Sequence, residues 1–191
     1  MSKKEKIDEI SNQIKKCRKC PLWKSRTNAV PGDGDYETKI LFIGEAPGHR
    51  EDKKGLPFVG RAGKILDELL DSISLDRKKV YITNIVKCRP PRNRNPLKSE
   101  IKVCTPYLDK QLSLINPKII VTLGNFATRY IFDKFNLDFE KISKTHGETF
   151  QIEGLGGTFK IMPVYHPAAA TYDPNKKTMF LEDFKKLKEI I

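Results

Sequence analysis

The chain has 191 residues, of which 36 are lysine or arginine and 24 are aspartate or glutamate, so its formal net charge is +12. This length predicts a single domain over residues 1–191, and the apolar runs are too short to cross a membrane. A basic balance of this size favours a polyanionic partner, nucleic acid before an acidic membrane, although it is also compatible with charge that serves only solubility.

The first feature along the chain is a charged opening, residues 1–5, which predicts a helix rather than a signal peptide and therefore a cytoplasmic protein. Cys17 and Cys20 then form a C-x2-C pair, and the other two cysteines, Cys88 and Cys104, lie far down the chain. Four converging thiolates can hold one tetrahedral zinc ion or one four-iron, four-sulfur cluster. Disulfides are disfavoured in a reducing compartment, and two unrelated pairs of buried cysteines are the remaining alternative.

Four short, nearly continuous apolar runs predict buried parallel strands, over residues 39–43, 80–85, 119–123 and 159–164. Pro163 predicts that the fourth strand frays or lies at an edge of the sheet. Helical periodicity separates or follows these runs, over residues 65–73, 101–115, 125–135 and 179–191. This alternation predicts an α/β fold with helices on both faces of a parallel sheet.

Polar residues follow the predicted strands, and the carboxyl ends of parallel strands are where ligands bind in open α/β sheets. The four strands are followed in chain order by Gly44-Glu45-Ala46-Pro47-Gly48, Thr83-Asn84, Gly124-Asn125 and His166-Pro167-Ala168. Taken singly, Asn84 could cap a helix, Glu45 could face water and His166 could be an ordinary loop histidine. Because all three lie at corresponding strand ends, a shared site is the better interpretation.

An irregular, proline-rich loop after the second strand carries Arg89, Arg92, Arg94 and Lys98. The lysines near both chain ends are better explained as solvated helix faces. The charge in the loop therefore gives the strongest prediction of a DNA-binding surface, through contacts to phosphate groups.

Together these motifs resemble the family 4 uracil-DNA glycosylases, iron-sulfur enzymes of thermophilic bacteria and archaea. The resemblance rests on the motif at residues 44–48, on Phe58-Val59-Gly60, on Thr83-Asn84, on His166-Pro167-Ala168 and on the four spaced cysteines. It implies a three-layer α/β/α sandwich on a four-stranded parallel sheet. It also implies base excision repair, in which uracil is flipped out of DNA and its N-glycosidic bond is hydrolysed, leaving an abasic site.

The same resemblance assigns roles to individual residues. Cys17, Cys20, Cys88 and Cys104 would hold a [4Fe-4S] cluster rather than zinc, and that cluster would be structural, with a redox role as the rival. Gly44, Glu45, Ala46, Phe58, Asn84 and His166 would bind uracil. Among them Phe58 would stack on the base, Asn84 would read its O4 and N3-H edge, and His166 would stabilise the departing anion through O2.

The chain departs from the best-known uracil glycosylases at three places. Ala46 stands where they carry a catalytic aspartate, so Glu45 is the available catalytic carboxylate. It could position water, stabilise the sugar cation or serve only as a hydrogen-bonding wall of the pocket. Gly48 stands where they carry a tyrosine that excludes thymine, and Glu51 is the candidate for that task. The loop after His166 lacks their wedge leucine, and Tyr172 is its one large candidate for a substitute.

The expected partner is uracil-containing DNA, single- or double-stranded, bound by a monomer. A replication clamp is a candidate partner, although residues 179–184 form only a weak docking motif. One alternative is a non-catalytic iron-sulfur or zinc module that binds nucleic acid. Another is a phosphate-binding α/β enzyme that uses the loop at residues 44–48.

Overall fold

A computed structural model of the protein describes residues 1–154, 157–171 and 176–191. Its centre is a six-stranded sheet with the strand order β1-β3-β2-β4-β6-β5. The strands in chain order are β1 (Asp33–Gly34), β2 (Ile40–Gly44), β3 (Tyr81–Asn84), β4 (Ile119–Leu123), β5 (Phe150–Gly154) and β6 (Gly157–Val164).

The four central strands, β3, β2, β4 and β6, run parallel, which confirms the predicted four-stranded parallel sheet. The edge strands β1 and β5 are antiparallel to their neighbours and were not predicted. Neither has the continuous apolar run that predicts a buried strand. Both residues of β1 are exposed, and no residue of β5 is fully buried.

The prediction that the fourth strand frays or lies at an edge is wrong. β6 pairs with β4 as far as Val164 and has β5 on its other side. Pairing with β5 ends where Phe150 faces Ile161, before the chain reaches Pro163. A proline therefore fits inside this strand because no β5 residue needs its missing N–H.

Helices cover both faces of the sheet. Their bounds are α1 (Lys3–Lys16), α2 (His49–Lys54), α3 (Arg61–Ser72), α4 (Lys98–Ile115), α5 (Asn125–Lys134), α6 (Ile142–Thr145) and α7 (Lys176–Ile190). The core on one face joins the sheet to α1, α4 and α5, and the core on the other joins it to α3 and α7. Within β2, Leu41 and Ile43 enter the first core and Ile40 and Phe42 the second, which confirms the three-layer sandwich.

The charged opening of the chain forms α1, as predicted. Ser2 caps the helix in a reciprocal pair with Glu5, and Ile7, Ile10 and Ile14 lie buried on one face at helical spacing. None of the helices in the described residues is long and apolar enough to cross a membrane. By packing on α4, α1 brings the C-x2-C pair that follows it to the middle of the domain.

Candidate active site and four-cysteine pocket

The carboxyl ends of the parallel strands surround a cavity of about 500 Å³, which we call the base pocket. In-register pairing places Gly44 of β2 beside Asn84 of β3. The pocket is lined by Glu45, Ala46, Gly48, Glu51, Phe58, Ala62, Asn84, Asn93, Asn95, His166 and Ala168. Every residue predicted to bind uracil except Gly44 lines it, together with the thymine-excluding candidate Glu51.

Asn84 carries the clearest mark of a ligand site. It is 1% exposed, and its Oδ1 is a buried side-chain atom with no hydrogen-bond partner among the described residues. An unsatisfied buried acceptor costs about 1–3 kcal/mol, so such an atom calls for a functional explanation. A Cβ built on Gly44 would lie 2.4 Å from this oxygen and 2.6 Å from the Phe58 ring. Gly44 therefore contributes by leaving room for the two side chains.

Phe58 lies in the turn between α2 and α3 with a left-handed φ of 49°, which is uncommon for a bulky residue. Glu51 holds the next two residues in place, because its Oε1 accepts hydrogen bonds from the N–H groups of Val59 (2.9 Å) and Gly60 (2.7 Å). The Phe58 ring faces His166 with 5.7 Å between ring centroids. The turn thus fixes an aromatic surface inside the base pocket.

His166 follows β6, and its ring is enclosed by protein while part of it opens to the pocket. Burial lowers the pKa of His166 to about 4, and the charge of Glu51 opposes this shift. The imidazole is therefore neutral near pH 7. Its Nδ1 accepts a hydrogen bond from the Ala168 N–H at 3.2 Å, so the ring proton lies on Nε2. A neutral ring in this tautomer is a hydrogen-bond donor to the pocket.

The segment after His166 is a short 3-10 helix, Pro167–Thr171. The Thr171 hydroxyl donates to the carbonyl of Ala168 at 2.6 Å and closes this turn. The wedge candidate Tyr172 lies outside the described residues.

Glu45 directly follows β2 at the wall of the base pocket. Its backbone carbonyl accepts from the Val86 N–H at 3.1 Å, which extends the pairing of β2 and β3 past the strand ends. The side chain is half-buried, and burial raises the pKa of its carboxyl group above the ordinary value. A carboxylate with a raised pKa is a better proton acceptor, as general-base chemistry requires.

Asn93 and Asn95 are pocket residues that the sequence analysis missed. They come from the proline-rich loop, in which only the basic residues were predicted to have a function. Asn93 has a left-handed φ of 56°, and its Oδ1 accepts from Arg89 Nε at 2.7 Å. The signal that could have found them is the asparagine content of the loop, since asparagine both tolerates this conformation and reads polar ligands.

The predicted DNA-binding arginines differ in their surroundings. Arg94 forms a two-pronged ion pair with the buried Glu100, with Nη1–Oε2 at 2.9 Å and Nη2–Oε1 at 2.6 Å. Glu100 Oε2 also accepts from the Leu97 N–H at 2.8 Å, and these contacts lower the pKa of Glu100. Arg94 thus anchors the loop to the start of α4.

Arg89, Arg92 and Lys98 are placed differently from Arg94. Arg92 is exposed at the tip of the loop with a left-handed φ of 55°. Arg89 contacts His49 Nδ1 at 3.0 Å beside the base pocket. Lys98 begins α4 and lines a separate groove between α4 and α5. Asn93, which lines the base pocket, follows Arg92 in the chain and accepts from Arg89, so both arginines adjoin a pocket residue.

The four cysteines line a second, smaller cavity, which we call the cysteine pocket. Cys17 and Cys20 reach it from the end of α1, Cys88 from the loop after β3 and Cys104 from α4. All four are free thiols, so no disulfide joins them. The predicted convergence of the two sequence-distant pairs is therefore present. Within the described residues, no set of three His, Cys, Asp or Glu side chains is arranged to hold a single metal ion. A four-iron cluster makes a different demand, because each of its four cysteine ligands binds a different iron atom.

The thiols of the cysteine pocket lie among hydrogen-bond donors. Arg26 Nη1 donates to Cys88 Sγ at 2.9 Å, and the backbone N–H of Lys87 donates to Cys104 Sγ at 3.2 Å. Burial raises the pKa of Cys88 and raises that of Cys104 to about 11. Burial also lowers the pKa of Lys87 to about 7.

Without a bound metal centre, the raised pKa values of Cys88 and Cys104 favour their protonated forms, whereas metal binding deprotonates cysteine outright. Donors aimed at the Cys88 and Cys104 sulfurs are the outer contacts that tune and support thiolate ligands. Four cysteines around one small cavity, with an arginine and a lysine backbone donating to two of them, fit a four-thiolate cluster.

A sequence model of the uracil DNA glycosylase superfamily matches residues 31–188. The match covers the sheet and every residue of the base pocket. The chain therefore belongs to the uracil DNA glycosylase superfamily.

Curated relatives narrow this assignment. The chain is 49% identical over 187 residues to a type-4 uracil-DNA glycosylase of Sulfurisphaera tokodaii, covering 97% of this chain and 85% of that protein. It is 49% identical over 186 residues to the type-4 enzyme of Archaeoglobus fulgidus, covering 97% and 94%. It is 42% identical over 192 residues to that of Thermotoga maritima, covering 100% and 97%. Within the superfamily, the chain belongs to the type-4 uracil-DNA glycosylases.

Proposed function

We propose that the protein flips uracil out of DNA into the base pocket and hydrolyses its N-glycosidic bond, which releases free uracil and leaves an abasic site. The observation that carries this proposal is the buried Oδ1 of Asn84, which has no hydrogen-bond partner in the part of the chain that the structure describes and which lies beside Gly44, as the Phe58 ring does. A flipped base supplies both things that this arrangement lacks, a donor for the oxygen and a flat surface for the ring.

Asn84 selects the base by its hydrogen-bonding edge. Its Oδ1 accepts from uracil N3–H, and its amide group donates to uracil O4. Cytosine presents an acceptor at N3 and an amino donor at C4, so each contact would become a clash of like groups in a buried site. Loss of paired polar contacts in such sites supports discrimination of up to about 10⁴–10⁵-fold.

His166 stabilises the leaving group. As the bond between the sugar C1′ and uracil N1 breaks, both electrons go to the base, and the negative charge spreads to O2. The Nε2–H of the neutral imidazole donates a hydrogen bond to that oxygen. Because a pKa of about 4 keeps the ring neutral, His166 donates this bond without transferring its proton.

Glu45 completes hydrolysis by receiving a proton from the attacking water. The water oxygen bonds to C1′ as the base departs, and the carboxylate takes the water proton. The raised pKa of Glu45 suits it to this task. Ala46 offers no carboxylate, and a strongly dissociative reaction needs little help from a base, so one half-buried glutamate suffices.

Glu51 excludes thymine by filling space. Its Oε2 lies 2.7 Å from the position that a Cβ would take on Gly48, so the carboxylate occupies the room beside that glycine. The same side chain holds Val59 and Gly60 through its Oε1. A rigid, anchored carboxylate is well suited to block the methyl group of thymine.

DNA phosphates bind at the proline-rich loop, through Arg89 and Arg92 beside the pocket residue Asn93 and through Lys98 at the start of α4. Arg94 contributes mainly by fixing the loop to Glu100. We also propose that the enzyme acts as a monomer in the cytoplasm. The clamp-docking motif is not part of the proposal, because Phe180 and Phe184 are fully buried against the sheet.

The cysteine pocket is proposed to hold a [4Fe-4S] cluster on Cys17, Cys20, Cys88 and Cys104. Cys17 and Cys20 at the end of α1, Cys88 in the loop after β3 and Cys104 on α4 would hold it, and the cluster would then supply a rigid link between these three segments. Hydrolysis of a glycosidic bond transfers no electrons, so this role is structural.

A uracil-release assay tests the function. An oligonucleotide with one uracil is incubated with the protein, and free uracil and alkali-labile abasic sites are both measured. We expect both products from the wild type and from Asn12→Ala, which alters an exposed amide on α1, and neither at a comparable rate from Asn84→Ala. DNA binding without release of uracil by the wild type would contradict the proposal and favour a non-catalytic binding module.

A further inference from the structure

Lys87 is a fully buried lysine that the proposed chemistry does not use. It is 1% exposed, and its side chain lies in the core below the base pocket. Its ammonium donates to Thr83 Oγ1 at 2.6 Å, to the backbone carbonyl of Asn84 at 2.8 Å and to Gln111 Oε1 at 2.7 Å. Thr83 Oγ1 gives its own proton to the Pro31 carbonyl at 2.8 Å, so all three partners accept from Lys87. Three acceptors require the three-donor ammonium form, and they oppose the effect of burial, which lowers the pKa of Lys87 to about 7. Among the ion pairs of the described residues, none supplies Lys87 with a carboxylate.

Burying an ammonium group without a carboxylate is costly, so its retention calls for a reason beyond packing. A leucine or methionine would fill the same space at no electrostatic cost. What the ammonium adds is a fixed contact with the carbonyl of Asn84, the residue whose carboxamide faces the base. The neighbouring Gln111 is itself fixed, because its Nε2 donates to the Pro31 carbonyl at 2.9 Å and to the Tyr81 hydroxyl at 3.2 Å.

The backbone of Lys87 is anchored at the other pocket. Its N–H donates to Cys104 Sγ, and the next residue is Cys88, which also lines the cysteine pocket. One residue is therefore bonded to the base-reading strand end through its side chain and to a proposed cluster ligand through its main chain. The four thiolates proposed there would also supply negative charge near an ammonium that has no carboxylate.

We infer that Lys87 is a positioning residue for uracil recognition, which fixes the strand end bearing Asn84 and ties it to the cysteine pocket. This inference rests on the proposed role of Asn84 as the reader of the base. Removing the ammonium should leave the chemical groups of Asn84 unchanged but let its backbone and carboxamide shift in position. Sub-ångström errors of this kind reduce catalysis even when no reacting group is lost.

Lys87→Met, which keeps an unbranched side chain only one atom shorter and removes its charge, tests the inference in single-turnover excision at saturating enzyme. We expect a rate loss of about tenfold or more, with normal iron content per chain. In an Asn84→Ala background the same substitution should cost less than about twofold, because there is no carboxamide left to position. In a His166→Ala background it should cost its full factor.

Equal losses in the two backgrounds would overturn the inference, since a general loss of folding would affect both alike. An unchanged rate in Lys87→Met would overturn it as well. If Lys87→Met does not fold, Gln111→Met removes one acceptor of the ammonium and should show the same pattern with a smaller factor, and equal losses there would overturn the inference too. Asn84→Ala measured alone separates the two hypotheses, because a normal rate in that variant would contradict the proposed base reader itself.

Discussion

The base pocket and the cysteine pocket share the segment from Asn84 to Cys88, but they differ in whether their polar groups already have hydrogen-bond partners. Asn84 ends β3 with an acceptor that has no partner among the residues the structure describes, and His166 lines the same pocket as a neutral ring. Only four residues after Asn84, the Cys88 thiol already accepts from Arg26. The base pocket leaves polar groups available for a transient ligand, whereas the cysteine pocket surrounds its sulfurs with donors suited to a permanent one.

Because of this difference, we expect substitutions in the two pockets to have different consequences. Damage to the cysteine pocket should appear as lost iron and lost stability, and damage to the base pocket as lost chemistry in a folded protein. Substitutions in each pocket test this expectation when iron content, stability and excision rate are all measured.

The largest expected effect is in the cysteine pocket. Cys88→Ser should abolish iron binding and lower the melting temperature strongly, because the proposed ligands join α1 to the middle of the domain and close a long loop. Iron per chain, the broad visible absorbance near 400 nm characteristic of such clusters, and thermal melting are the measurements. Asn84→Ala is the control and should keep its iron. Four iron atoms per chain in Cys88→Ser would contradict the ligand assignment.

In the base pocket, Glu45→Gln should lower the single-turnover rate by about 10²-fold, at the low end of general-base contributions. The wild-type rate should fall as the pH drops through the raised pKa of Glu45, and the variant should lack this dependence. His166, with a pKa of about 4, should add no inflection near pH 6.5. A pH profile of Glu45→Gln identical to that of the wild type would exclude Glu45 as the base.

The same variant also makes a prediction about stability. A raised pKa means that the folded protein binds the Glu45 proton more tightly than the unfolded chain does, so the ionised carboxylate lowers stability at pH values above that pKa. Glu45→Gln should therefore raise the melting temperature at neutral pH, and the gain should vanish as the pH falls below the ordinary glutamate value. A gain that persists there would point to packing instead.

The smallest expected effect is at the loop. Arg92→Ala should weaken DNA binding and reduce the slope of log K against log salt by about one unit, with little change in single-turnover rate at saturating enzyme. Lys188→Ala, at the exposed end of α7, is the matched control and should leave the slope unchanged. A slope unaffected by Arg92→Ala would mean that this residue only faces solvent.

Local patterns were enough to predict the residues at strand ends. Asn84, Glu45 and His166 follow apolar runs, and parallel pairing brings such ends together whatever the rest of the chain does. The four cysteines were predicted to converge from their number and from the compartment. Their partners were not predicted, because the contact of Arg26 with Cys88 spans 62 positions of sequence.

Contacts made by residues with more than one plausible role were the hardest to predict. In the sequence, Lys87 resembles any surface lysine, but in the structure it is buried. Arg94 was predicted to contact phosphate, but in the structure it is paired with Glu100. The edge strand β5 has too few apolar residues to be recognised, and without it Pro163 suggested an edge. In each case the contacts of the residue depend on which other part of the chain packs beside it.

In this mechanism Asn84 reads the base while His166 stabilises the departing anion. A comparison of two leaving groups separates these two roles. Single-turnover excision of uracil and of 5-fluorouracil is measured with the wild type, His166→Ala and Asn84→Ala. His166→Ala should lose about 10²–10³-fold on uracil and clearly less on 5-fluorouracil, a better anion that needs the hydrogen bond less. Asn84→Ala should lose similar factors on both, since both bases present the same O4 and N3–H edge. Equal losses on the two bases in His166→Ala would contradict the claim and shift the anion-stabilising role away from His166.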